Sequence, residues 1–356
     1  MLLENIVNKV KKGERISEEE AVYIYKKLSL LEIGKLADYV RWRALPYPLV
    51  TFVIDRNINY TNVCTVNCKF CAFYTSPNAK DGYVLTEDEI LKKVDELVKK
   101  GGTQVLLQGG LNPSLDLNDV VNMIKSVKEH YPQVDIHSFT TTEINYYAKK
   151  ENITVKETLQ RLKDAGLRSL PGGGAEILVD RVRNNVSPLK NSVQSWLDVM
   201  DEAQKLGMPT TSTMVFGMGE TVEERIEHLS KIRELQDRNH GFTAFIPWSF
   251  EPKNTVMDNI KRATAYEYLC MIAISRIFLD NIKNIQSGWV TEGAKIAQIA
   301  LKFGANDFGG ILMEEHVISA AGKSNYMDVD LIIHTIKDAG FIPAQRNTYY
   351  EILKTF

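Results

Sequence analysis

The sequence predicts an α/β protein folded as a (β/α)8 barrel of the TIM type with a helical N-terminal extension. Three observations carry this prediction. Short β-rich runs alternate with amphipathic helical runs along most of the chain, an order that produces right-handed βαβ crossovers and a parallel sheet. There are eight such units, which favours a closed barrel over an open sheet. No linker-like tract, low-complexity segment or tandem repeat divides the 356 residues, so a single barrel can account for most of the length.

The elements follow in order. Residues 1–45 form the helical extension, residues 46–320 the barrel, and residues 321–356 a helical segment packed on it. The strands are expected at 51–61, 103–108, 134–140, 167–172, 210–217, 242–250, 284–290 and 308–314. Helical runs lie between them at 86–101, 117–131, 154–166, 192–207, 221–236, 264–281 and 292–304. Each places apolar residues near i, i+3, i+4 and i+7 and ends in Gly or a polar turn. Thr86 with Glu89, and Thr221 with Glu224, have the spacing of capping boxes, in which two side chains satisfy the free N–H groups of a first turn.

Composition narrows the function classes. Lys plus Arg number 43 against 45 for Asp plus Glu, and hydrophobic residues make up 44%. That balance provides no basic face for nucleic acid or anionic lipid, and no apolar run reaches the length of a bilayer span. The first twenty residues are amphipathic and charged, without the apolar core of a signal peptide, so a cytoplasmic location is expected. Four cysteines are too few for a disulfide framework in a chain of 356 residues.

Three of the four lie together in NVCTVNCKFCAF, directly after the first expected strand: Cys64, Cys68 and Cys71, spaced C-x3-C-x2-C. Thiolates are soft ligands suited to zinc or iron–sulfur centres. Structural zinc normally takes four protein ligands, and no histidine stands near this loop to complete a set. Three cysteines can instead hold three corners of a 4Fe-4S cluster and leave the fourth iron open to a small molecule. Thr65, Asn67 and Lys69 make the loop too polar for core. Cys270, inside the apolar run LCMIAISRIF, is expected to be packing. A zinc-stapled binding module and a non-catalytic iron–sulfur electron carrier are the competing readings, and the carrier would normally supply all four ligands itself.

With this motif the sequence resembles the radical S-adenosylmethionine enzymes, and the barrel is then expected to be of their type. The resemblance implies a 4Fe-4S cluster held by Cys64, Cys68 and Cys71, and S-adenosylmethionine chelated on the open iron. It implies that Phe70 shields the cluster and Phe73 lies near the adenine. The remaining cofactor contacts are expected at strand ends: Gln108, Gly109 and Gly110 after the second, Ser138 after the third, Glu176 and Arg183 beyond the fourth, and Gly217 with Gly219 after the fifth. QGG stands where the family commonly has GGE.

Over about residues 16–350 the chain is most similar to the cyclic dehypoxanthine futalosine synthase family of menaquinone biosynthesis, through FIPWSF, SGWVTEG and GANDFGG. Aminofutalosine synthase and the tyrosine-using subunit of deazaflavin synthase share the scaffold. The resemblance implies dehypoxanthine futalosine as substrate, hydrogen abstraction from ribose C4' and radical attack on the benzoate ring. An external one-electron donor such as flavodoxin or ferredoxin is implied as well. Candidate substrate contacts are Asn57, Asn59 and Tyr60 on the first strand, Trp248 and Phe250 on the sixth, Trp289 and Thr291 at the seventh, and Asn306 at the eighth. Asp307, Glu314 and Glu315 are the candidate carboxylates for the final proton, and Arg276, Arg346 or Thr291 for anchoring the benzoate.

Overall fold

A computed structural model describes all residues, Met1–Phe356. The first strand runs in two halves, β1 (Leu49–Val53) and β2 (Asp55–Ile58), followed by β3 (Gln104–Leu107) and β4 (Asp135–Ile136). Next come β5 (Thr210–Phe216), β6 (Phe242–Ser249), β7 (Asn284–Ile285) and β8 (Asp307–Gly310). Two further strands close the chain, β9 (Ile342–Arg346) and β10 (Ile352–Thr355).

The ring closes in parallel register. β2 pairs with β3 and β3 with β4. Single bridges at His137–Ser169 and Leu170–Thr210 carry the sheet through the expected fourth strand into β5. β5 pairs with β6 and β6 with β7. A Gln286–Asp307 bridge leads to β8, which returns to β1. Eight strand positions thus enclose one interior, as the alternation predicts.

Both predicted capping boxes form, at Thr86/Glu89 and Thr221/Glu224. Two helices rather than one separate β4 from the fourth strand position, Thr141–Glu151 and Val155–Ala165. The first of them buries residues on more than one face, Thr141, Glu143, Ile144 and Tyr147 among them, so it lacks the single apolar stripe that marks a helix in sequence.

The expected C-terminal helical segment requires correction. After the helix Val329–Asp338 the chain turns into β9, which pairs in parallel with β1 from Leu49–Ile342 to Phe52–Gln345. β10 returns antiparallel along β9. Backbone groups of the first strand alternate in direction. On the β8 side the Thr51 N–H donates to Asn306 O and Val53 O accepts the Ile311 N–H; towards β9 Pro48 O accepts the Ile342 N–H, and towards β3 Ile54 O accepts the Thr103 N–H. β9 therefore fills the lower edge of the barrel and carries Arg346 into the interior.

Candidate active site

The cysteine loop leaves β2 and is fastened by neighbouring strand-end loops. The Cys64 N–H donates to Thr75 O at 2.9 Å, the Lys69 N–H to Val186 O at 2.9 Å, and the Val256 N–H to Lys69 O at 3.1 Å. The Leu111 N–H donates to Cys64 Sγ at 3.3 Å. Gly110 explains the glycine pair of QGG. A Cβ there would stand 2.3 Å from Val63 O and 2.7 Å from the Cys64 Cβ, far inside contact distance, so only glycine lets the two backbones meet.

The three thiols are free and partly or fully buried. Burial pushes the Cys68 thiol up to about 12 and raises that of Cys71. No three His, Cys, Asp or Glu side chains converge as ligands of a single metal ion. A zinc site requires such convergence, whereas a 4Fe-4S cluster takes each thiolate on a separate iron. The donor set is three thiols, with Cys64 already bonded by a backbone N–H; it fits three corners of a cluster and falls one protein ligand short of the four a structural zinc normally takes.

Below the loop the barrel interior opens into a cavity of about 290 Å³. The strands line it at every second residue, Val53, Asp55 and Asn57 from the first and Thr211, Thr213 and Val215 from β5, as the pleat requires. Gln108, Glu176, Trp248, Trp289 and Glu315 all face this cavity. The Asn57 Oδ1 is buried there without a hydrogen-bond partner. Trp289 starts a short helix, Trp289–Glu292, rather than lying on the seventh strand, and its Nε1 donates to Gly310 O at 2.8 Å.

Glu176 is held by Lys190 Nζ at 2.7 Å and by Arg183 at 3.2 Å. Burial opposes its ionisation, but the two cations outweigh it and hold the carboxyl below the usual range. Lys190 also stands 5.2 Å from the centre of the Phe70 ring, which places a buried ammonium between the cysteine loop and the cavity wall. Nothing periodic in VSPLKN signals it.

Several expected contacts fall elsewhere. Tyr60 points outward; its hydroxyl donates to Glu143 at 2.7 Å, and the same carboxylate accepts the Gly109 N–H at 3.1 Å. Alternation alone separates Tyr60 from Asn57. Asn59 and Phe73 line a second, more open pocket with Glu314 and His316. Ser138 is fully buried and accepts the Leu107 N–H at 2.8 Å; its neighbour His137 faces the cavity instead. Arg183 is occupied by the carbonyls of Gly174, Ala175 and Asn191, which makes it a brace for the glycine turn rather than a free fork for a carboxylate. Gly217 and Gly219 lie in a turn closed by Glu220, whose carboxylate accepts the Gly217 and Met218 N–H groups.

The substrate-side corrections have similar causes. Phe250 is buried core, and Thr291 lies wholly buried away from the cavity. Asn306 is occupied by Arg276 at 2.5 Å and by the Ile285 N–H at 3.0 Å. That contact also removes Arg276 as an anchor, since its other donors meet Gly304 O and Lys283 O. Asp307 is paired with Arg346 at 2.6 and 3.1 Å and accepts from Thr51 and the Gly309 N–H. Glu314 sits outside the cavity among Arg56, Lys93 and His316. Neither carboxylate is available as a base.

Sequence reasoning missed two cavity residues, His137 and Asp55, as well as Lys190 behind the cavity wall. His137 bonds Ser169 Oγ at 2.7 Å, and burial drives its imidazole down to about 3. Arg346, considered only as an anchor, forms the floor, with its guanidinium carbon 3.8 Å from the centre of the Tyr350 ring. Asp55 is buried and faces inward. The alternation Val53, Asp55, Asn57 in TFVIDRNINYT is the signal that locates it.

A parallel barrel with an open three-cysteine loop at the C-terminal ends of its strands defines a scaffold for radical chemistry on an iron–sulfur cluster. The chain belongs to the radical S-adenosylmethionine superfamily: residues 58–232 match the Radical SAM superfamily model, and residues 239–356 match the CofH/MqnC C-terminal region. Enzymes of this superfamily use a 4Fe-4S cluster and S-adenosylmethionine. The chain is 45% identical to the cyclic dehypoxanthine futalosine synthase of Halalkalibacterium halodurans, over all of this chain and 96% of that one. It is 41% identical to the 5-amino-6-(D-ribitylamino)uracil--L-tyrosine 4-hydroxyphenyl transferase of Methanocaldococcus jannaschii, over 98% of this chain and 99% of that one. Among solved structures, methylornithine synthase shares the fold with a TM-score of 0.76 at 19% identity, covering 95% of this chain and 97% of that one. No helix is long and apolar enough to cross a membrane.

Proposed function

We propose that this enzyme is a radical cyclase that converts dehypoxanthine futalosine to its cyclic form, in the cytoplasm, with reducing electrons from a flavodoxin- or ferredoxin-like donor. The observation that carries this reading is the full-length similarity to cyclic dehypoxanthine futalosine synthase, at 45% identity. The cavity supports it, having Trp248 and Trp289 together with Asn57, Gln108 and Glu176 in its lining.

In this reading Cys64, Cys68 and Cys71 hold the cluster and Phe70 shields it. Cluster and S-adenosylmethionine together supply a carbon-centred radical able to remove a hydrogen atom from the substrate ribose. Glu176, kept ionised by Lys190 and Arg183, accepts hydrogen bonds from ribose hydroxyls. Asn57 and Gln108 offer polar contacts in the upper cavity. The two tryptophans sandwich the benzoate ring and exclude water that would quench a radical. Arg346 lines the floor with its donors committed to Asp307 and the Asn347 carbonyl, so it shapes that end of the cavity.

The tyrosine-using transferase of deazaflavin synthesis is the second reading, favoured by 41% identity over nearly the full length of both chains. Anaerobically reconstituted enzyme, S-adenosylmethionine and a strong reductant are incubated with each substrate set, and products are read by mass. The cyclase reading expects dehypoxanthine futalosine to lose two hydrogens. Consumption of tyrosine with the ribitylaminouracil, and none of the futalosine, overturns it.

A further inference from the structure

We propose that Asp55 is the catalytic base that takes the proton lost when the aromatic ring of the substrate is restored. The inference rests on the cyclase reading and deepens it.

Three carboxylates line the cavity, and two are already committed. Glu176 is clamped between Lys190 and Arg183. Glu315 accepts the Ile318 and Ser319 N–H groups at the start of the helix Val317–Ala320. Asp55 is the least engaged of the three: it has no ion pair, its Oδ1 accepts the Leu312 N–H at 2.9 Å, and its Oδ2 meets only Gln104 at 3.5 Å, whereas both Glu315 oxygens accept backbone N–H groups. The chain leaves space for it. Gly310 faces the group, and a Cβ there would lie 2.2 Å from both carboxylate oxygens.

The charged and titratable groups around Asp55 are Arg346 from β9, Asp307 from β8, His137 beyond β4 and Tyr350 from the C-terminal turn. Arg346 is bonded to Asp307, and its charge lowers the Asp55 carboxyl less than burial raises it. Burial, the dominant influence, pushes that carboxyl up to about 7, where a base is most effective near neutral pH. His137, at about 3, is too weak a base to compete.

The ribose carbon radical forms a C–C bond to a ring carbon and leaves that carbon tetrahedral. Its C–H bond then breaks. The proton passes to the Asp55 carboxylate, and the remaining electron leaves to a one-electron acceptor of the iron–sulfur or flavin class, which is reduced.

The test uses the reconstituted enzyme and D55N, with H137Q alongside. D55N is expected to go on cleaving S-adenosylmethionine to 5'-deoxyadenosine while cyclised product falls by about 100-fold or more. Wild-type product formation rises with pH through neutrality, and the D55N residue is flat over the same range. Should D55N fold poorly, carbon-13 NMR of the carboxyl in the wild-type apoprotein gives an independent reading, with a midpoint near neutrality expected. Product within a few-fold of wild type in D55N, loss confined to H137Q, or a carboxyl that titrates in the ordinary aspartate range each overturns the assignment. Wild-type enzyme inactive on dehypoxanthine futalosine overturns the cyclase reading as well, whereas wild-type turnover with an undiminished D55N overturns the base alone.

Discussion

Asp55 and Glu314 lie on either side of the barrel wall near β8, and the protein drives their ionisation apart. Burial pushes Asp55 up to about 7. Burial would raise Glu314 too, but His316, Lys93 and Arg56 outweigh it and hold that carboxyl down at about 2. The signs of the stability effects are therefore opposite. Glu314 stabilises the fold above the usual glutamate range, and this is lost as pH falls towards 2. E314Q should cost about 2 kcal/mol at neutral pH, with turnover unchanged. Urea unfolding should show the difference from wild type shrinking at acid pH. Asp55 is most easily tolerated while protonated, so D55N should gain stability over wild type as pH rises from the ordinary aspartate range to about 7, level off above that, and match wild type only below about 4. Alternation places Asp55 inward and is readable from sequence. That no cation bonds it, Arg346 being turned to Asp307, while three groups surround Glu314, depends on residues brought together only by the fold. The cysteines were fully legible because spacing alone carries their chemistry. Alanine at any one of Cys64, Cys68 or Cys71 should abolish 5'-deoxyadenosine formation, whereas C270A, buried in a helix, should retain activity at a packing cost of about 1 kcal/mol.

Among the elements, the cysteine loop depends on the turn that follows β3. Gly110 lies against Val63 and Cys64 so closely that a methyl group must displace backbone. G110A should therefore lower the iron bound per chain after reconstitution, measured by metal analysis, while far-ultraviolet circular dichroism stays near wild type. Strand and helix order were legible wherever a capping box or an apolar stripe was present, as at Thr86 and Thr221. They failed where packing rather than pattern decides. β7 stops at Ile285 and the chain re-forms as a helix at Trp289, because that indole reaches across to the Gly310 carbonyl. Tyr60 was misplaced for a simpler reason, since one step along a strand reverses the face.

At the scale of the whole molecule, the barrel was legible but its floor was not. FIPAQR carries a proline, which argues against an interior strand, and its partner β1 lies at the other end of the sequence. The floor nonetheless joins the fold to the site, because Arg346 neutralises the fully buried Asp307. Replacing Arg346 by Met should destabilise the protein by about 3–5 kcal/mol, the cost of stranding a buried charge. Thermal melting of the variant against wild type checks this.

The same pairing governs the order of assembly. Leu49 meets Ile342 across about 290 intervening residues, and so long a closure forms late in folding, since its entropy cost precedes its reward. The first β-strand must wait with an open edge while most of the chain collapses around it. A refolding molecule thus gathers its cysteine loop, bonded to Thr75, Leu111, Val186 and Val256, before it gains a sealed interior. Reconstitution with iron and sulfide ahead of full renaturation would load a vessel that still leaks.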